Sequence, residues 1–271
     1  MKREGNIKIF EDTCHLCKNN KALADAIKSS VNNQSITGTT NHQPTDVCKY
    51  ENPAKIVVSG KRSFETASFY KDTRVCVLNF ASATNPGGGV KNGASAQEEC
   101  LCRISTLYEC LSDMKLWKNY YMPNRESGNC LYNDNLIYTP DVVVFKTDTA
   151  NPVLMKEQDW YKTDVITCAA PNLFALQNKG AKLPTEKELL SLFEKRFSAI
   201  FEAAFPRKIE TLVLGAFGCG AFRNPPRIVA LAAKQTIEKY RYAFKTIEFA
   251  VYCNPKDNSN FRIFSQVLGK M

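Results

Sequence analysis

Two adjacent glutamates, Glu98 and Glu99, follow Gln97 where a loop of small residues gives way to an apolar-periodic stretch. A carboxylate pair in such a place can exchange protons with a substrate, accept hydrogen bonds from sugar hydroxyls, or simply cap a helix. Just upstream, Asn85-Pro86 leads into Gly87, Gly88 and Gly89, and seven residues, Val90 to Ala96, separate these glycines from Gln97. Glycines allow backbone to come close to a ligand. A second loop of this kind, LGAFGCGAFRNPP, carries Gly215, Gly218, Cys219, Gly220, Ala221 and Phe222. It leaves an apolar run and enters a helix expected from Asn224, with Asn as cap and prolines in the first turn. Free N–H groups before a helix start favour an anion, and a diphosphate is the natural guest. The loop is not a Walker A sequence, and it reads G-x-x-G-x-G where a dinucleotide fingerprint needs G-x-G-x-x-G. Taken alone, it also fits an ordinary glycine-rich turn.

Both loops need rigid supports. Val75, Val77 and Leu78 predict a strand before the first loop, and Leu101, Ile104, Leu107, Tyr108 and Leu111 predict one amphipathic helix after it. Further strands are expected at Ile56–Ser59, Asp141–Phe145, Val165–Cys168, Thr211–Leu214 and Thr246–Tyr252. Helices are expected at Ser63–Tyr70, Pro184–Phe205, Asn224–Tyr240 and around Phe261, Phe264, Val267 and Leu268. Strands alternating with helices indicate an α/β fold with helices on both faces of a sheet. Residues 1–55 read as an extension with a helix from Thr13 to Ser30 and then a polar loop, NNQSITGTTNHQPTD; residues 56–271 read as the main domain. Between Asp113 and Leu136 lies an irregular connection rich in aromatics, with Trp117, Tyr120, Tyr121 and Tyr132, that either covers the site or packs internally.

Composition narrows the class. The 271 residues are 44% hydrophobic without any apolar run of membrane-spanning length, and MKREGNIKIFED lacks a signal-like core, so a cytoplasmic or nuclear location is expected. Eleven scattered cysteines read as reduced thiols. Cys14 and Cys17 form a lone C-x2-C, which His42 and Cys48 would have to complete for zinc; two thiols one helical turn apart is the plainer reading, and no metal is expected. The net charge of +9 suits a polyanionic ligand.

The combination of GGG, seven residues and QEE, in the context NFASATNPGGG, resembles the GGG-x(6–8)-QEE signature of the poly(ADP-ribose) glycohydrolases, in their bacterial-type branch. The stretches ITCAAPN and LGAFGCGAFRNPP extend the resemblance over roughly Ile56 to the C-terminus. It implies a three-layer α/β/α macrodomain with a mixed central sheet. It also implies hydrolysis of the ribose–ribose bonds of poly(ADP-ribose), exo-acting and without cofactor, with ADP-ribose as product.

By the same resemblance Glu99 is the acid and base, Glu98 binds ribose hydroxyls, and Gln97 helps fix ligand and loop. Asn85, Gly87, Gly88, Gly89 and Val90 wrap the terminal ribose and phosphate, Gly218, Cys219, Gly220 and Ala221 hold the diphosphate, and Phe222 orients the ribose. One glutamate in both roles also agrees with the local geometry, since neighbouring side chains at a helix start point apart and cannot sandwich a sugar. Animal-type members have an Asn before the glycines; Ser82 is the counterpart here, flanked by Asn79 and Asn85. Two other readings remain: a macrodomain that only binds ADP-ribosylated protein, and a hydrolase of mono-ADP-ribose on protein, or on nucleic acid as the ADP-ribosylated acceptor.

Overall fold

A computed structural model describes residues 2–38, 48–253, 257–269 and 271; His42 lies outside them. Two helices open the chain, α1 (Lys2–Asn19) and α2 (Lys21–Asn33). The single helix expected over Thr13–Ser30 is thus two, because the Asn20 side chain accepts a hydrogen bond from Leu23 N and starts a new helix there. Cys14 and Cys17 fall late in α1 rather than near a helix start. Within the stretch expected to be polar loop, Ser35–Thr37 forms a short strand, β1. Then come β2 (Lys55–Ser59), α3 (Ser63–Ser68) and β3 (Val75–Phe80).

After the first glycine loop, α4 (Gln97–Cys102) and α5 (Leu107–Leu111) replace the one helix expected there. The break is stabilised by a bridge from Ser105 to Val144 and by the Thr106 N–H donating to the Val143 carbonyl. The aromatic connection is α6 (Met114–Leu116), a π-helical turn over Trp117–Tyr121, and α7 (Met122–Ser127). The rest alternates: β4 (Leu136–Val144), β5 (Tyr161–Cys168), α8 (Leu173–Asn178), α9 (Glu186–Ala204), β6 (Thr211–Leu214), α10 (Pro226–Lys239), β7 (Thr246–Ala250) and α11 (Ser259–Leu268).

Among the described residues, seven strands make one mixed sheet in the order β1-β4-β5-β3-β6-β7-β2. β5, β3, β6, β7 and β2 run parallel, while β4 is antiparallel to both its neighbours. Successive side chains of a strand face opposite ways. Cys76 and Leu78 therefore join one core with α9, α10 and α11, through Phe193, Phe197, Val229 and Phe264. Val75 and Val77 join a second core on the other face, with Phe10 of α1, Phe64 of α3 and Leu101 of α4. Both faces are covered, which is why these strands read as continuous apolar runs. Parallel strands also deliver their following loops to one edge of the sheet, and the two glycine loops meet there.

Candidate active site

A cavity of about 500 Å³ lies at that edge, with Arg62, Phe80, Ser82, Ala170 and Tyr252 on its walls, each just beyond or at the end of a parallel strand. Of the residues singled out from sequence, Gly88, Gln97, Glu98, Glu99, Gly218, Gly220, Ala221 and Phe222 line it. The two loops, some 120 residues apart in the chain, thus form one chamber. Asn85, Gly87, Gly89, Val90 and Cys219 are outside its lining. Val90 is fully buried in the second core. Cys219 packs against the first. Gly87 faces the Tyr108 ring. Asn85 is exposed and accepts a hydrogen bond from Arg125.

Gln97 ties the first turn of α4 to the end of β3. Its Oε1 accepts from Phe80 N at 2.8 Å, and its Nε2 donates to the Leu78 carbonyl at 2.8 Å and to Ser63 Oγ at 3.0 Å. The amide thus acts as an extra pairing unit beyond the strand, which sets the height of the two carboxylates that follow.

Glu98 is 3% exposed. It accepts from Ser82 N at 2.7 Å and Asn79 Nδ2 at 3.2 Å. Burial pushes its carboxyl from the ordinary 4.5 up to about 8; the neighbouring Glu99 adds to this, while hydrogen bonds from Ser82, Asn79 and Gly87 oppose it. Glu98 therefore holds a proton at neutral pH.

Glu99 is 7% exposed and is gripped by one oxygen only. Oε1 accepts from Gly89 N at 2.9 Å, and Oε2 is buried without a partner. The glycines make this possible. Gly88 has φ +57°, and a Cβ there would sit 2.6 Å from Glu99 Oε1 and 2.9 Å from Glu98 Oε2. Only a residue without a side chain lets the loop close over both carboxylates.

The second loop is stapled by Asn224. Its Nδ2 donates to the Pro171 carbonyl at 2.7 Å and the Gly218 carbonyl at 3.0 Å. It does not cap α10, as expected from sequence, because the helix begins two residues later with Pro225 in the cap position. Gly218 is left-handed at φ +74°, and a Cβ there would meet Ala170 and Asn224 at 2.5 and 2.7 Å. Phe222 is half-buried, and its ring lies 6.5 Å from that of Tyr132.

Several residues missed by the sequence reading complete the chamber. Arg62 lies over the Tyr252 ring at 4.1 Å and pairs with Asp148 at 3.9 Å; all three line the cavity. None of Trp117, Tyr120, Tyr121 or Tyr132 lines it, whereas Tyr252, 52% exposed, does. Its position just past β7 was the available signal.

α1 also reaches the site. Asn6 lines the cavity and donates to the Gly93 carbonyl at 2.9 Å, within the spacer between GGG and QEE. The buried Lys146 ammonium anchors that helix through the Ile9 carbonyl (3.1 Å), Asp12 (2.7 Å) and Thr13 Oγ1 (2.8 Å).

Among the described residues, no group of three or more His, Cys, Asp or Glu side chains is placed to hold a metal ion. No described helix is long and apolar enough to cross a membrane.

Residues 4–147 match the family model for the microbial-type PARG catalytic domain. The fold is similar to poly(ADP-ribose) glycohydrolase from Thermomonospora curvata, with a TM-score of 0.84 and 26% identity over 98% of this chain and 100% of that one. The same enzyme bound to the inhibitor ADP-HPD gives a TM-score of 0.81 at 27% identity, covering 97% and 99%. The Deinococcus radiodurans enzyme in complex with ADP-ribose gives 0.78 at 30% identity, covering 90% and 97%. No curated protein matches the chain in sequence.

Proposed function

Because this chain belongs to the microbial-type poly(ADP-ribose) glycohydrolase family, we propose that it hydrolyses the ribose–ribose bonds of poly(ADP-ribose) and releases ADP-ribose. The observation that carries the catalytic assignment is the asymmetry of the carboxylate pair. Both Glu98 oxygens are engaged by the scaffold, whereas Glu99 is held by Oε1 alone and keeps Oε2 buried and unpartnered at the cavity wall. An acid must reach the leaving atom before its proton affinity matters. Glu99 is therefore the acid and base, and Glu98, with both oxygens held by the scaffold, is the orienting partner.

In this reading the diphosphate lies along Gly218–Ala221, where Gly220 leaves open space beside the backbone. The terminal ribose sits between Phe222 and the Gly88 turn. The Glu99 carboxyl gives its proton to the departing oxygen as the glycosidic bond breaks. The ribose carbon becomes oxocarbenium-like, water attacks it, and the Glu99 carboxylate removes the water's proton. The adenine end extends toward Tyr252. Arg62, stacked on that ring and paired with Asp148, stands at that end of the cavity. Exo action, from the free terminus of the polymer, is part of the same proposal.

The deciding experiment is Glu99→Gln, which keeps size and most hydrogen bonding but cannot exchange the proton. Polymer turnover should fall at least about 10²–10⁴-fold, while calorimetric affinity for ADP-ribose changes little. Turnover near the wild-type rate would remove Glu99 from the chemistry.

A further inference from the structure

One ADP-ribose unit occupies the chamber, but the bond to be cut ties it to a second. The departing oxygen belongs to the adenosine of that next unit, which carries an adenine and a diphosphate of its own. With the terminal ribose between Phe222 and the Gly88 turn, the next unit leaves past these two walls. Just beyond each wall stands an arginine laid on an aromatic ring. On the first side, the Gly88 N–H donates to the Asn85 carbonyl at 3.0 Å, and the Asn85 side chain accepts from Arg125 at 3.1 Å. The Arg125 guanidinium lies 5.1 Å from the centre of the Trp117 ring. On the second side, Arg223 follows Phe222 directly, and its guanidinium lies 4.2 Å from the centre of the Phe174 ring. The Phe174 N–H donates to the Phe222 carbonyl at 3.2 Å, which fixes this ring beside the residue that orients the ribose. Lys179 Nζ donates to the Gly128 carbonyl at 2.9 Å, so the end of α8, which carries Phe174, is tied to the end of α7, which carries Arg125.

Neither arginine lines the chamber, and neither has a part in the chemistry above. Both are exposed, and among the described residues neither makes an ion pair. Of the acids between Trp117 and Asp134, Asp134 is paired with Arg196 at 2.6 Å, which leaves Glu126 against Arg125, Lys179 and Arg223. Arg223 also sits at φ +59°, a left-handed conformation that glycine and asparagine adopt more cheaply, and such strain concentrates where a side chain is used. A guanidinium stacked by its face keeps its N–H edge free for phosphate oxygens. We propose that this rim is a second subsite, for the penultimate ADP-ribose unit of the polymer. Arg223 and Arg125 bind that unit's diphosphate, and Phe174, 37% exposed, gives its adenine a stacking surface. The subsite rests on the glycohydrolase reading and sharpens it: polymer is favoured over a single ADP-ribose on a protein, which brings no second diphosphate.

The test uses two substrates with the same terminal unit: short poly(ADP-ribose), and ADP-ribosyl para-nitrophenol, whose leaving group has no phosphate. Arg223→Asn suits the left-handed backbone, and Arg125→Gln keeps a donor for Asn85. Each should lower kcat/KM on polymer by about three- to tenfold, and both together by about ten- to hundredfold. On the nitrophenyl substrate the change should stay within about twofold, since no contact to the terminal unit is removed. Raising salt from about 0.05 M to about 0.3 M should raise the polymer KM more steeply in wild type than in the double variant. Equal losses on both substrates, or no loss on polymer, overturn the subsite. If Arg125→Gln does not fold, Arg223→Asn alone decides by the same comparison.

The two readings fail separately. Wild type that releases ADP-ribose from neither substrate sinks the glycohydrolase reading and the subsite with it. Wild type that trims polymer, beside variants that keep pace with it, sinks only the subsite.

Discussion

Glu98→Gln should make the protein more stable at neutral and alkaline pH. The Glu98 carboxyl is raised by burial from 4.5 to about 8 in the folded chain, and unfolding returns it to water. With a raised folded value, its contribution is fully present below 4.5 and is lost as pH climbs through about 8. Between these limits the unfolded chain ionises and the folded chain does not, so stability falls by about 1.4 kcal/mol per pH unit. The loss reaches roughly 3 kcal/mol at neutral pH and roughly 5 kcal/mol once the folded group also ionises, as order-of-magnitude figures.

Glutamine removes this titration and keeps the shape. Its oxygen can still accept from Ser82 N, and a flip of the Asn79 amide turns the unpartnered Oδ1 toward the new NH₂ group. Urea unfolding of both proteins from about pH 5 to about pH 9 gives the difference curve directly. It should start near zero and rise toward several kcal/mol in favour of Glu98→Gln, with lower polymer turnover throughout. A flat difference curve would refute the reasoning, because the buried carboxyl would then titrate alike in both states.

Other perturbations separate scaffold from site. Gly220→Val, with nothing within 4 Å of its Cβ, should fold normally yet weaken ADP-ribose binding by at least about tenfold, or ~1.4 kcal/mol, by calorimetry. Gly218→Val should instead lose stability by about 1–3 kcal/mol or more, since φ +74° and contacts to Ala170 and Asn224 exclude a side chain. Lys146→Met should loosen α1, with faster amide exchange over Arg3–Asn19 and around Gly93 and a stability cost of about 2–3 kcal/mol; protection equal to wild type would show that α1 docks without this anchor. Early reaction products from long polymer should be ADP-ribose itself, and early release of long oligomers on a sizing gel would contradict exo action.

The sequence by itself determined the chemistry and its immediate supports. Gly87–Gly89, the seven-residue spacer and QEE mark the family, and the apolar runs of β3, β5, β6 and β7 are visible because both faces of the sheet are buried. Local signals of this kind are complete within a few residues. Tertiary structure decided what depends on partners distant in the chain. Leu101 to Leu111 has one helical period, yet it is broken between α4 and α5 where Ser105 and Thr106 bond to β4. Gln97 reads as an amide that helps fix ligand and loop, and only the fold shows that its hydrogen bonds within the chain go to Phe80, Leu78 and Ser63. Asn224 has the spelling of a helix cap, yet it bonds to Pro171 across 53 residues.

The docking of α1 is invisible in the sequence because nothing local announces that Lys146 and Gly93 receive it. Glu98 and Glu99 are equivalent in sequence, and the fold makes them unlike. One carboxylate has both oxygens tied down and the other keeps one oxygen unpartnered, because the backbone donors that divide them, Ser82 N and Gly89 N, come from a loop shaped by left-handed glycines.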